Sequence, residues 1–163
     1  MWIGSEAGPC QISADSLQLN GKRCDARVLI GADLDPIDIP SSHRQKAASR
    51  LPEGKRIAFT GGADADHRAV WDCLDRARNR HPVMILLHGA TLTVAERAAA
   101  CWAESRGVVQ VAFRPDWNRR GKAAPFKRND RMLDALPVGV IVFPGTGIQD
   151  NFAHKARKMG IPI

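Results

Sequence analysis

The chain has no CxxC pair, and Cys10, Cys24, Cys73 and Cys101 are scattered along it. A structural zinc ion needs clustered Cys and His ligands, so no metal site is expected. Cys73 and Cys101 fall in apolar helical patterns, where a thiol packs as a small hydrophobe. No apolar run approaches the roughly 18 residues that span a bilayer. The opening residues Met1-Trp2-Ile3-Gly4-Ser5-Glu6 have no basic region followed by an apolar stretch, so no signal peptide is read and the cytoplasm is the expected compartment. A Walker loop and a GxGxxG fingerprint are also missing, which leaves ATP hydrolysis and dinucleotide dehydrogenation unsupported; no cofactor is expected. No Ser-His-Asp order and no Cys-His pair stands out.

What the chain does contain is ordinary globular material. Its 163 residues suit one domain plus an extension, with 44% hydrophobic and 25% charged residues. A domain of this size buries a sizeable core without disulfides. The formal net charge of +7 suits phosphate-rich partners, nucleotide or nucleic acid, and equally a solvated basic surface.

Residues 1–55 and 56–163 differ in character. The first part has short apolar pieces such as 27–31, broken by Pro36, Pro40 and Pro52, and a helix start or loop at 41–46. It reads as an extension with one strand or hairpin and one short helix. The second part alternates. Buried runs at 56–60, 83–87, 108–113 and 138–143 are followed by helical patterns at 66–80, 93–105, 129–136 and 149–159. The helical stripes are carried by Val70, Leu74 and Ala77, and by Ala95, Ala99 and Trp102. Ile161-Pro162-Ile163 reads as the start of a fifth strand. Short continuous apolar runs between amphipathic helices imply parallel strands with crossover helices. The expected fold is therefore α/β: a Rossmann-like three-layer domain with a mostly parallel sheet of four to five strands. In such sheets ligands bind beyond the carboxyl ends of the strands.

Three of the four runs end in glycine, at Gly61-Gly62, Gly89 and Gly145 with Gly147. Pro144-Gly145-Thr146-Gly147 is the strongest local signal. Glycine lets the backbone approach an anion, and the following helix presents free N–H groups. Thr146 adds a hydroxyl donor, and Asn151, one turn into the helix, is placed to reach a ribose or phosphate. A bulky residue at Gly145 is expected to remove binding without unfolding the chain. After the first run, Thr60-Gly61-Gly62 stands where nucleotide folds often place their first phosphate contact, with Gly61 and Gly62 as ligand contacts; Asp64 or Asp66 suits instead a helix cap. After the second, His88-Gly89 offers a phosphate contact or an acid, or simply a satisfied histidine at a strand end. Glu96 offers a ribose contact or a general base, or only an acid at a helix start. Residues 114–130 read as a long basic loop containing Trp117 and Phe126, with Arg128 and Asn129 opening the next helix as ligand contacts. The plain alternative is a basic surface connection. Asp116 is the second carboxylate available for acid–base work.

These pieces in this order resemble the YspA, YpsA-related branch of the SLOG superfamily. The resemblance covers roughly residues 55–163. It rests on Thr60-Gly61-Gly62, His88-Gly89 with Ala95-Glu96-Arg97 and Trp102-Ala103, Pro115-Asp116-Trp117, the run from Gly121 to Asn129, and Phe143-Pro144-Gly145-Thr146-Gly147 with Asn151. That family is similar to the Lonely Guy-type phosphoribohydrolases and to DprA. The resemblance implies a Rossmann-like domain that senses or processes nucleotide-derived ligands. It also has departures. The family commonly carries an arginine shortly after the first glycine loop, where this chain has Ala63-Asp64. It commonly opens the second helix with Gly-Ala-Asp, where this chain has Val94-Ala95-Glu96. The hydrolase relatives place a glutamate after a Gly-Gly-x-Gly-Thr loop, whereas this chain reads Gly145-Thr146-Gly147-Ile148-Gln149-Asp150. The leading expectation is therefore binding of a phosphate-bearing, nucleotide-derived small molecule. A hydrolase of a nucleotide or ADP-ribose derivative is the first alternative, and a basic nucleic-acid-binding protein the second. No membrane partner is expected, and a homo-oligomer is compatible with the sequence.

Overall fold

The structure is a computed structural model. It describes residues 51–163 together with strand residues 11–12, 17–19, 22–23 and 28–30. The possible helix at 41–46 lies outside the described residues. Strands β1 (Gln11–Ile12), β2 (Leu17–Leu19) and β3 (Lys22–Arg23) pair antiparallel in a small sheet of order β1-β2-β3.

The main sheet contains β4 (Val28–Ile30), β5 (Lys55–Thr60), β6 (Met84–His88), β7 (Val109–Ala112) and β8 (Gly139–Val142). Its order is β4-β7-β6-β5-β8 and every pairing is parallel. Four of these strands come from the expected runs. The fifth is β4, from the N-terminal part, and not Ile161-Pro162-Ile163. Proline has no N–H to donate, and the Ile161 N–H goes to the Ala156 carbonyl at 3.0 Å. The tail gives the sheet only the Pro162 carbonyl, which accepts from the Val140 N–H at 2.8 Å.

Helices α1 (His67–Arg80) and α2 (Val94–Ser105) cover one face; α4 (Ala124–Asp134) and α5 (Gly147–Lys158) cover the other. Each start has a chemical cause. Asp66 caps α1 through the Arg68 and Ala69 N–H groups, Thr93 caps α2, and Thr146 with Gln149 forms a reciprocal capping box on α5. On the first face Ile57, Phe59 and Leu86 meet Val70, Leu74, Ala99 and Trp102. On the second, Ala58, Leu87 and Val111 meet Met132, Phe152 and Ala156. Burying each large side chain contributes about 1.5–3 kcal/mol.

Trp102 is fully buried, so its indole N–H needs a partner. It donates to Asp75 Oδ1 at 2.8 Å, and Arg106 grips both oxygens of the same carboxylate at 3.1 Å. The Arg106 hydrogen bonds hold the Asp75 carboxyl below its ordinary range, against the opposing effect of partial burial. This clamp locks α1 to α2. Cys73 is a free thiol. Cys101 departs from expectation: it sits half-buried on the flank of α2, off the Ala95-Ala99-Trp102 stripe, and is disulfide-bonded. Its partner lies outside the described residues.

The basic segment is helical where a loop was expected. Asp116 caps α3 (Trp117–Arg120), a 3-10 turn covers Gly121–Ala123, and α4 starts at Ala124, five residues before the expected start. Pro115, Gly121 and Pro125 read as loop breakers. Pro125, however, sits in the first turn of α4, where a missing N–H costs nothing.

Candidate functional site

A parallel sheet puts every strand's carboxyl end on one rim, so the turns after β5, β6, β7 and β8 share it. The neighbours β5 and β8 send their following helices, α1 and α5, to opposite faces. That divergence is the topological switch point where doubly wound sheets open a crevice.

Much of this crevice is filled by the protein itself. Gly62 donates its N–H to the Pro144 carbonyl at 3.0 Å, and a Cβ on Gly62 would lie 2.5 Å from the Gly145 Cα. A Cβ on Gly61 would lie 2.5 Å from the Ala95 Cβ. These two glycines let the backbones and α2 close on one another. The Gln149 side chain plugs the remaining gap. Its Oε1 accepts from the Thr146 N–H at 2.8 Å and the Thr146 hydroxyl at 3.0 Å, and its Nε2 donates to the Gly61 carbonyl at 3.3 Å. A Cβ on Gly145 would lie 2.7 Å from Gln149 Oε1. The expectation that a bulky residue at Gly145 spares the fold is therefore replaced: Gly145 is a packing position. Gly147 is the exception on this turn, exposed and with open space where a side chain would stand.

The turn after β6 is held from within. His88 is 3% exposed. Its Nδ1 accepts the Ala90 N–H at 3.2 Å, so Nε2 carries the ring proton and donates to Gln110 Oε1 at 3.0 Å. Burial pushes the imidazole pKa down, with Glu96 opposing, so the ring is neutral and brings no charge to the rim. Ala90 adopts φ 51, the left-handed region that disfavours a side chain.

Glu96, Arg128 and Asn129 are buried together at 1%, 2% and 0% exposure. Glu96 Oε1 accepts from Arg128 Nη1 at 3.3 Å and from the Thr60 hydroxyl at 3.4 Å. Its Oε2 accepts the Thr91 N–H at 3.0 Å. Arg128 Nε and Nη2 donate to Asn129 Oδ1 at 3.1 and 2.9 Å, and Asn129 Nδ2 donates to the Ile148 carbonyl at 3.1 Å. The guanidinium lies where a Gly89 Cβ would stand, 1.6 Å from Nη1. Gly89 is thus the seat of an arginine. Arg128 and Asn129 face inward from the body of α4 instead of opening a helix.

The structure thus gathers Gly61, Gly62, Pro144, Gly145, Thr146 and Gly147 at one point, and His88, Gly89, Glu96, Arg128 and Asn129 around the end of β6. Pro144 to Gly147 are exposed. Trp117 stands apart beyond β7 and is 57% exposed. Asp116 caps α3 through the Arg119 N–H at 3.1 Å. Asn151 is half-buried, and its Oδ1 is enclosed without a hydrogen-bond partner among the described residues. Thr60, Thr91, Gln110 and Gln149 were missed as members of these networks. Gln149 had a readable signal, the Thr-x-x-Gln spacing of a capping box. Among the described residues no cluster of His, Cys, Asp or Glu has the makings of a metal site, and no helix is long and apolar enough to cross a membrane.

The fold and its rim define a Rossmann-like α/β domain with glycine turns at the switch point. Residues 55–120, from the start of β5 to the end of α3, match the model of the YspA, cpYpsA-related SLOG family. The match points to a nucleotide-related ligand-binding role. No curated protein and no solved structure matches the chain.

Proposed function

We propose that residues 56–163 form the binding unit, with 1–55 as an extension, and that its carboxyl rim binds a phosphate-bearing nucleotide derivative for sensing or processing. The observation that carries this reading is the exposed Pro144–Gly147 turn at the start of α5, with open space at Gly147, beside the switch point between β5 and β8. A phosphate there meets the Gly147 N–H and the positive end of a twelve-residue helix. Trp117, exposed beyond β7, offers its face to the base. From β8 to β7 is three strand spacings, about 14 Å, which suits an extended ligand of the ADP-ribose kind better than a mononucleotide. Gly61, Gly62 and Gly89 shape the rim, and Arg128 and Asn129 support it from below.

The hydrolase reading draws no support from Glu96, whose two oxygens are both engaged inside the protein. A thermal-shift and calorimetric panel of ADP-ribose, AMP and inorganic phosphate tests the proposal. Saturation at about a hundred times Kd adds about 2.7 kcal/mol, a rise of roughly 5–10 °C in melting temperature for a chain of this length. Gly147→Leu fills open space, so it is expected to keep the fold and lose the shift. Absence of any shift with the wild type, or persistence of the shift in Gly147→Leu, refutes the assignment.

A further inference from the structure

The buried Glu96–Arg128–Asn129 cluster joins parts of the molecule that the sheet otherwise keeps apart. Glu96 belongs to α2 on one face and Arg128 to α4 on the other. The guanidinium crosses between the layers over the end of β6, through the gap left by the missing Gly89 side chain. From there the hydrogen bonds run without a break. The Thr91 N–H in the β6–α2 turn binds Glu96, Glu96 binds Arg128, Arg128 binds Asn129, and Asn129 holds the Ile148 carbonyl in the first turn of α5. Each end of this chain is a turn of the ligand rim. Every member between them is nine-tenths or more buried, so none of the three touches a molecule docked on the rim as it stands.

From this we infer that Glu96, Arg128 and Asn129 are positioning residues that couple the Ala90–Thr91 turn to the first turn of α5, so that nucleotide binding at the α5 end depends on the state of the β6 end. The inference rests on the reading of the rim given above, and it assigns these side chains a part other than ligand contact. A network with all its donors and acceptors satisfied has one favoured arrangement, and disturbing one link leaves buried groups unmatched at the next.

Asn129→Asp is the discriminating substitution. It removes the donor to Ile148 and creates a carboxylate that competes with Glu96 for Arg128, so the disturbance travels both ways. Amide hydrogen exchange is measured on the whole chain without ligand, normalised to the core amides of β5 and β6. The expected result is exchange at Thr91 and at residues 147–150 faster by about tenfold or more relative to the core. Gly89→Ala, which evicts the guanidinium from the other side, is expected to give the same pattern. A purely structural cluster would instead loosen core and turns in proportion. Turn exchange within about twofold of wild type relative to the core overturns the inference. Loss of folding in Asn129→Asp overturns it too, because cutting a positioning contact spares the fold; loss of folding in Gly89→Ala leaves the decision to Asn129→Asp. Affinity for ADP-ribose and AMP is expected to fall about tenfold in the variant with altered turns, about 1.4 kcal/mol, and unchanged affinity there refutes positioning. If the wild type binds neither probe, the reading of the rim fails, and the ligand-free exchange data still decide the coupling.

Discussion

Neutralising Glu96 isolates the energetics of the rim. Glu96 and Arg128 are 1% and 2% exposed and 3.3 Å apart. Glu96→Gln keeps the side chain's shape and leaves the guanidinium charged in a dry site. An uncompensated buried charge costs about 3–5 kcal/mol, against a total stability of about 5–15 kcal/mol for a typical domain. At about 2–4 °C per kcal/mol for this chain length, the melting temperature is expected to fall by roughly 6–20 °C. The same helices supply a control. Lys155 and Asp130 pair between α4 and α5 with both side chains 35% exposed. Solvent screens that pair, so Asp130→Asn is expected to cost about 1 kcal/mol or less. Urea unfolding followed by circular dichroism reads both. Glu96→Leu combined with Arg128→Met removes both charges together and is expected to cost less than the sum of the singles, with a coupling of about 2–3 kcal/mol. If Glu96→Gln proves as mild as Asp130→Asn, the pair is not dry and the account of the rim fails.

Other consequences follow from single residues. Ala90 sits at φ 51, so Ala90→Gly is expected to raise stability by about 0.5–1 kcal/mol in urea melts, and a loss would show that the turn does not hold that conformation. Gly62→Ala drives a Cβ to 2.5 Å from the Gly145 backbone and is expected to cost about 1–3 kcal/mol; a neutral result would mean that the two turns are not in contact. His88 is buried neutral with its pKa pushed below the ordinary 6.5. The unfolded chain therefore binds a proton there that the folded chain refuses, and stability is expected to fall as pH drops below about 6.5, by at most about 1.4 kcal/mol per pH unit. His88→Gln should flatten that slope between pH 6.5 and 5, and an unchanged slope would place its origin elsewhere.

The strands were legible because parallel strands covered on both faces must be apolar at successive positions, and 57–59 and 84–87 are. Asp66, one of two carboxylates suited to cap the first helix, is the one that does so, whereas the caps at Thr93 and Thr146 emerge only in the structure. Residues 114–130 were not legible. Pro115, Gly121 and Pro125 carry two meanings, and what decides between them is distant: Ala124, Pro125, Arg128 and Asn129 are buried against other elements, and that packing pulls the segment into helix. The edge strand β4 was equally hidden, since its three residues find their partner some eighty positions away in β7.

The rim shows the same limit in a sharper form. Parallel topology was enough to gather the glycine turns on one edge, but a glycine reads alike whether its missing side chain admits a ligand or a piece of the protein. Here Gly61, Gly62, Gly89 and Gly145 admit Ala95, the Gly145 backbone, Arg128 and Gln149, and of the glycines in these turns only Gly147 faces open space. This narrows where an anion can sit. Gln149 already takes the Thr146 N–H and hydroxyl that a phosphate would seek, so a ligand either lies outward, against the start of α5 at Gly147, or displaces an amide side chain tied at both ends. The first costs no internal hydrogen bond and uses a turn already ordered by its packing, which spares the entropy of arranging it on binding. The packed glycines are thus compatible with the proposed rim, and on that proposal its contact surface moves outward to Gly147.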